Sequence, residues 1–245
     1  MGLPVSVLAR GALARSEHAE AAVQAVFSEL HEVDQLFSLY RPESTVSRLV
    51  RGELSWADAG PLVREVAERC EGARDLTDGL FDPKTPVGTW DPSGLVKGWS
   101  VERAGRYLAE VAGLDWCLNA GGDVLVVCPS AIPFTVGIQD PRDPGSVVTT
   151  VACVGGAVAT SGSAARGAHI YDPRTGAPPT TDWLSVSVTG PSLEYADVLA
   201  TAAFVAGDNW PAVLSRAGYD GLGVLTDGTM RATVGWPRTH AGDAR

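Results

Sequence analysis

Residues 194–206, with the sequence EYADVLATAAFVA, predict one strong helix that ends at Gly207. Short apolar runs separated by turn residues precede this helix in the second half of the chain, which is typical of strands in an antiparallel sheet. These runs cover residues 115–118, 123–128, 134–138, 147–154 and 184–189. We therefore expect the second half of the chain to be mainly β, with one helix interrupting its strands.

The first half of the chain is predicted to carry helices, because apolar residues recur there at intervals of three and four. The predicted helices cover residues 16–37, with Ser16 as the N-cap, 60–71 and about 97–111. A turn-rich segment over 78–94 precedes the third helix. Since there is no internal repeat and no long linker, we predict the α+β class. A single compact domain would cover residues 1–235, and a polar tail would follow over 236–245.

The composition favours a globular protein that does not bind nucleic acid. Of the 245 residues, 45% are hydrophobic and 20% are charged, and the formal net charge is -10. A surface this acidic repels nucleic acid and anionic lipid. It also repels an anionic ligand such as a dinucleotide, so the binding of one would need local cations or a bound metal ion.

The four cysteines, at positions 70, 117, 128 and 153, form no Cys-x-x-Cys pair and have no His at zinc-ligand spacing. We expect them to be reduced residues of the core. No apolar run has the length of a membrane span, and the first ten residues lack the features of a signal peptide. The expected location is therefore cytoplasmic.

Asp197 and Thr201 lie four residues apart on the predicted helix 194–206, so their side chains share one face. Their oxygens suit Mg²⁺, which prefers hard ligands and completes its shell with water or phosphate. On spacing alone, the favoured interpretation is an Asp197 that interacts with the helix N-terminus and a Thr201 that is simply buried.

Two glycine-containing turns are further candidates. The segment Asp91–Trp99 is a tight turn that opens into a helix beginning at Lys97, where free N–H groups and the ammonium would attract phosphate. An ordinary loop with a solvated lysine fits as well. The turn over 119–123, Asn-Ala-Gly-Gly-Asp, permits close approach of a ligand, although taken alone it favours a plain hairpin.

Hydroxyl, histidine and basic side chains gather in residues 160–176, which include Ser161, His169 and Ile170. A serine hydrolase is disfavoured because the chain has no Gly-x-Ser-x-Gly elbow. An oxidoreductase that binds a dinucleotide is disfavoured because no Gly-x-Gly-x-x-Gly turn follows a first strand. His169 on its own is more typical of a surface or core histidine.

In their order along the chain, these motifs resemble the ApbE family of FAD:protein FMN transferases. The matching segments are Met1-Gly2 with 4–7, Phe37–Leu49, Phe81-Asp82-Pro83, Asp91–Glu102, Leu118–Asp123, Ala159–Gly162 with His169–Gly176, and Tyr195–Ala202. Together they span the chain from Met1 to about Gly207. The resemblance implies a compact, T-fold-like α+β domain with an antiparallel sheet and packed helices.

The resemblance also implies the roles of individual residues. Asp197, Thr201 and the backbone carbonyl of Gly94 would hold Mg²⁺, Asp197 would serve catalysis through that ion, and His169 would be the base. FAD would be the substrate. Its binding residues would be Met1, Tyr40, Asp82, Lys97, Asn119, Gly121, Gly122, Asp123, Ser161, His169 and Ile170.

The activity implied is transfer of FMN from FAD to a Thr or Ser hydroxyl of an acceptor flavoprotein, with release of AMP. Two alternatives share the site: an FAD pyrophosphatase, in which water replaces the hydroxyl, and a flavin-binding protein without turnover. The metal ligands favour an enzyme over storage, because storage needs no metal ion on the pyrophosphate.

Overall fold

The structure is a computed structural model that describes residues 2–163 and 170–237. Its strands are β1 (Val5–Arg10), β2 (Asp115–Ala120), β3 (Asp123–Val127), β4 (Phe134–Asp140), β5 (Asp143–Cys153), β6 (Gly155–Gly162), β7 (Trp183–Gly190), β8 (Asp220–Leu225) and β9 (Met230–Ala232). Within the described residues, seven strands form one sheet in the order β1-β2-β3-β6-β7-β8-β9, and β4 and β5 form a separate hairpin. Every pairing is antiparallel, as predicted.

The helices are α1 (Glu17–Phe37), α2 (Thr45–Val50), α3 (Pro61–Leu76), α4 (Ser93–Ala109), α5 (Leu193–Ala206) and α6 (Trp210–Ala217), with a 3₁₀ turn over Gly207–Asn209. Ser16 caps α1 by accepting the N–H of Ala19, which confirms the predicted cap. Gly207 ends α5 with a positive φ of 58°, a conformation that glycine adopts without strain.

Helix α5 lies at the centre of the molecule. It packs against β6 and β7 on one face of the sheet, α4 packs against α5, and α1 packs against α4. Almost every residue of α5 is buried, which explains why its sequence is apolar on all sides. The other face of the sheet carries a second apolar cluster, which includes Val136 and Val151 of the β4–β5 hairpin.

Two of the predicted helix boundaries need correction, and one strand was not predicted. Helix α4 begins at Ser93 instead of Lys97, because the Pro92 carbonyl already accepts the N–H groups of Leu95 and Val96. Helix α3 extends to Leu76, five residues past its predicted end. Strand β6 was not predicted, because its glycine-rich sequence has low β propensity and its pairing with β3 and β7 holds it in the sheet.

All four cysteines are buried and free of disulfide bonds, as predicted. Trp236 is buried in the second apolar cluster, so the packed part of the chain reaches beyond Gly235. Residues 238–245 lie outside the described residues, and the domain boundary at Gly235 stays a prediction. Over the ranges that the structure describes, no helix is both long enough and apolar enough to cross a membrane.

A buried carboxylate joins α1 to α4. Glu29, 7% exposed, accepts hydrogen bonds from Arg103, from Arg106 at 3.1 Å and from the Tyr107 hydroxyl at 2.8 Å. Burial by itself would raise the pKa of Glu29, but the Arg103 and Tyr107 hydrogen bonds and the two arginine charges outweigh it. The pKa of Glu29 therefore lies below its ordinary value of 4.5.

We expect Glu29→Gln to lower the free energy of unfolding at pH 7 by about 2 kcal/mol. Because the folded-state pKa of Glu29 is lowered, the stabilisation from its carboxylate is complete above about pH 4.5. It is lost as the pH falls through the folded-state pKa. Urea unfolding at pH 7 and in steps below pH 4.5 would measure the difference, with the exposed Glu32→Gln on the same helix as the control. If wild type and Glu29→Gln differed in unfolding free energy by the same amount at every pH, this explanation would be contradicted.

Candidate active site

Three charged side chains from three different elements meet between the helices and the sheet. Lys97 of α4 places its Nζ 3.0 Å from Asp197 Oδ1 of α5, and it also pairs with Asp123 Oδ2 of β3. The two carboxylate side chains are 3% exposed, whereas the lysine side chain is 17% exposed. The sequence placed Lys97 at the start of a helix, but it lies in the second turn of α4, where it can reach inward to both carboxylates.

The pKa values of this cluster reflect burial and the close charges. Burial raises the pKa of Asp197, Lys97 opposes that effect, and the negative charge of Asp123 adds to it. Burial lowers the pKa of Lys97, but the two carboxylates outweigh it and raise the pKa above its ordinary value. Lys97 therefore stays protonated and supplies a fixed positive charge in the site.

Asp197 keeps one oxygen without a partner. Its Oδ2 is buried and accepts no hydrogen bond from any described residue. An unpaired buried acceptor of this kind is costly, and a cation would remove the cost. Thr201 lies one turn further along α5. Its hydroxyl is 3.0 Å from the hydroxyl of Ser161 on β6.

The Gly94 carbonyl belongs to the first turn of α4, the helix that carries Lys97. In the helix pattern it faces the N–H of Gly98. The described residues contain no group of three or more His, Cys, Asp and Glu side chains that could hold a metal ion. A cation here would thus be held by one carboxylate, one hydroxyl and one carbonyl, a set of oxygen donors that suits Mg²⁺. The donors fit the ion that the resemblance implies.

Gly98 allows α4 and α5 to approach closely. A Cβ atom at this position would lie 2.6 Å from the Leu193 carbonyl oxygen and 2.8 Å from the Glu194 Cα. Sequence reasoning did not identify Gly98 as part of the site. Its position in a helix interior, where glycine is unfavourable, directly after Lys97, is the feature that could have revealed it.

The predicted Gly-Gly hairpin is present between β2 and β3. Gly121 and Gly122 have φ values of 64° and 101°, and the Asn119 side chain accepts the N–H of Gly122 at 3.0 Å. Asp123 follows immediately and is 2% exposed. Its Oδ1 accepts the N–H of Thr160 at 3.1 Å, a contact that the sequence did not predict. The turn therefore directs Asp123 inward, toward Lys97.

Asp82 lies in a segment that contacts the first turn of α4. The neighbouring Phe81 ring lies against Gly94, where a Cβ atom would be 2.9 Å from the ring. The Asp82 carboxylate accepts the Lys84 N–H at 2.8 Å and Arg74 Nε at 3.2 Å. The Tyr171 hydroxyl donates to the Lys84 carbonyl at 2.7 Å, which joins this segment to the one after Ile170.

Ile170 lines a small cavity of about 120 Å³ beside α5. The cavity is mostly apolar, and Phe204, one turn after Thr201, also lines it. Tyr40 lies in the turn after α1 and is 94% exposed, apart from this cluster of contacts. Met1 and His169 lie outside the described residues, so their proposed roles stay predictions.

The ApbE family model matches residues 1–90 and 86–222 of the chain, which is well over half of its length. The chain belongs to the ApbE family. An FAD:protein FMN transferase of Treponema pallidum (strain Nichols) is 38% identical over 128 residues, which cover 46% of this chain and 34% of that relative. An FAD:protein FMN transferase of Escherichia coli (strain K12) is 31% identical over 143 residues, or 55% and 39% of the two chains. These alignments thus span under half the length of either relative.

Solved ApbE structures have the same fold. The ApbE protein of Thermotoga maritima superposes with a TM-score of 0.82 at 22% identity, over 95% of this chain and 94% of that one. The flavin transferase ApbE of Vibrio cholerae gives a TM-score of 0.75 at 21% identity, over 95% and 98%. The predicted membership of the ApbE family and the predicted α+β fold are both confirmed.

Proposed function

We propose that this protein is an FAD:protein FMN transferase that moves FMN from FAD to a Thr or Ser hydroxyl of an acceptor flavoprotein and releases AMP. The observation that carries the proposal is the unpaired, buried Asp197 Oδ2 beside Lys97, in a chain of the ApbE family. The names of the relatives from T. pallidum and E. coli support the same activity.

The transfer forms one bond and breaks one bond. The acceptor hydroxyl oxygen attacks the FMN phosphorus and makes a phosphoester, while the phosphoanhydride bond breaks and AMP leaves with the bridging oxygen. The hydroxyl proton passes to a base, for which His169 is the candidate. Reactions of this kind depend mainly on positioning and on stabilisation of phosphate charge.

Each part of the site has a role in this reaction. Mg²⁺ bound by Asp197, Thr201 and the Gly94 carbonyl would neutralise charge on the pyrophosphate. Lys97 holds a fixed positive charge beside that position and keeps donor capacity for a phosphate oxygen. The Gly121-Gly122 turn leaves room for the nucleotide to approach the backbone.

The composition supports a proposal for the cellular setting. The four unpaired cysteines support a cytoplasmic location, where thiols stay reduced. The net charge of -10 disfavours nucleic acid as a partner. The recruited cation and Lys97 offset this charge locally for FAD.

The direct test is incubation of the purified protein with FAD, Mg²⁺ and acceptor proteins that carry a Thr or Ser flavinylation site. We expect intact mass spectrometry to show one FMN phosphoester on the acceptor, and omission of Mg²⁺ to abolish it. Free FMN and AMP with several unmodified acceptors would indicate a pyrophosphatase instead. Intact, bound FAD would indicate a flavin-binding protein without turnover.

A further inference from the structure

We propose that Asp123 sets the cation affinity of the candidate site by holding the Lys97 ammonium away from the free oxygen of Asp197. In this role Asp123 is a positioning residue and does not contact the nucleotide. The inference rests on the part of the proposed function in which Asp197 binds a divalent cation. It goes beyond that function, because it assigns control of the cation affinity to Asp123, a side chain that does not touch the cation.

The contacts of the two aspartates differ in one decisive respect. Both oxygens of Asp123 have a close neighbour inside the protein: Oδ1 accepts the Thr160 N–H at 3.1 Å, and Oδ2, although it accepts no hydrogen bond, forms an ion pair with Lys97. Because Asp123 is also only 2% exposed, it offers no oxygen to a ligand. Asp197 pairs with Lys97 through Oδ1 at 3.0 Å, and its buried Oδ2 accepts no hydrogen bond from the described residues.

The sheet fixes the position of Asp123. Strands β3 and β6 are paired in the register Val124 with Val158, which brings Asp123 next to the Thr160 N–H. Lysine is a compact charge with three N–H donors on a flexible stem. With Asp123 anchored in this way, the ammonium is shared between two carboxylates, and its pairing with Asp123 competes with closure on both oxygens of Asp197.

The charge balance gives the expected direction of each change. With both carboxylates ionised and Lys97 protonated, the cluster carries one net negative charge, which favours a divalent cation. Removing the charge of Asp123 makes the cluster neutral and frees Lys97 to occupy Asp197. Removing the charge of Lys97 leaves two carboxylates without a cation, and a bound divalent cation then meets two negative charges. A unit charge within a few ångströms in a poorly solvated site changes the binding constant of a divalent cation by more than about tenfold.

The experiment measures Mn²⁺ binding to the purified full chain without nucleotide, from the electron paramagnetic resonance signal of free Mn²⁺. We expect Asp123→Asn to weaken binding by at least about tenfold and Lys97→Met to strengthen it by at least about tenfold. The control variants Asp78→Asn and Arg216→Met remove the same charges from an exposed surface pair, whose atoms lie 2.6 Å apart. They should leave the affinity within about twofold of wild type.

A double variant keeps the test decisive if Lys97→Met does not fold. Asp123→Asn combined with Lys97→Met leaves one negative charge at Asp197, so Mn²⁺ affinity should return to within about threefold of wild type. A merely structural role for Asp123 predicts that the double variant binds no better than Asp123→Asn alone, and that result would overturn the proposal.

Two further results bear on the inference. It would also be overturned by unchanged binding in Asp123→Asn, or by weaker binding in a folded Lys97→Met protein. If the wild-type protein flavinylates its acceptor but the Mn²⁺ affinities of wild type, Asp123→Asn and Lys97→Met do not follow the expected order, this inference alone is overturned. A wild-type protein that neither binds Mn²⁺ nor transfers flavin overturns the proposed function as well.

Discussion

Replacement of Asp197 by alanine should lower kcat/KM for magnesium-dependent flavin transfer by about a thousandfold. The substitution removes the only carboxylate in the proposed cation site and its unpaired oxygen Oδ2. A loss of this size is typical when a group that stabilises charge in a transition state is removed. The rate of appearance of modified acceptor, followed by intact mass at several Mg²⁺ concentrations, measures the effect.

The matched variants separate loss of chemistry from loss of folding. Asp197→Asn keeps the size of the side chain and should lose nearly as much activity, while its thermal unfolding shows whether the fold is intact. Asp78 pairs with the exposed Arg216, and the variant Asp78→Asn should keep full activity. If Asp197→Ala retained magnesium-dependent transfer, the assignment of Asp197 as a ligand would be wrong.

The second large effect is on stability and comes from Gly98. We expect Gly98→Ala to lower the free energy of unfolding by about 2–3 kcal/mol. The added Cβ would meet the backbone of α5, 2.6 Å from the Leu193 carbonyl oxygen, and backbone atoms cannot turn aside as a side chain can. Equilibrium unfolding in guanidinium chloride at pH 7 provides the measurement.

Gly72→Ala is the matched control for this prediction. Gly72 also lies in a helix, α3, but a Cβ there has no atom within 4 Å. The change should stabilise the protein by about 0.5–1 kcal/mol, because alanine has the higher helix propensity. If the two glycine variants shifted the unfolding free energy in the same direction and by similar amounts, close packing of α4 on α5 would not be the reason for Gly98.

The parts of the fold that depend on local sequence were predictable. Helix α1 follows from Ser16 and a regular apolar spacing, and α5 follows from an apolar run with Gly207 at its end. Strand β6 could not be predicted, because its residues take strand form only through their neighbours on both sides. The start of α4 was misplaced because the helix has already formed before Lys97, where the Pro92 carbonyl accepts the N–H groups of Leu95 and Val96.

The residues of the site were predictable from the sequence, but the contacts between them were not. The four-residue spacing of Asp197 and Thr201 put both on one face, the turn before the predicted third helix pointed to Lys97 as a phosphate contact, and the resemblance added Asp123. The contact of Lys97 with both carboxylates was not visible, because it depends on the sheet register and on the approach of two helices at Gly98. Such long-range geometry has no counterpart in local spacing.

The pairing of β1 with β2 has a consequence for synthesis of the chain. Val5 is opposite Ala120 and Arg10 is opposite Asp115, so more than 100 residues separate the two strands. At roughly 5–20 residues per second, the ribosome releases β2 about 5–20 seconds after β1. During that interval the segment Val5–Arg10 lacks its partner strand and is exposed to incorrect pairing. The helices made between β1 and β2 can pack on the sheet only after its remaining strands have been synthesised.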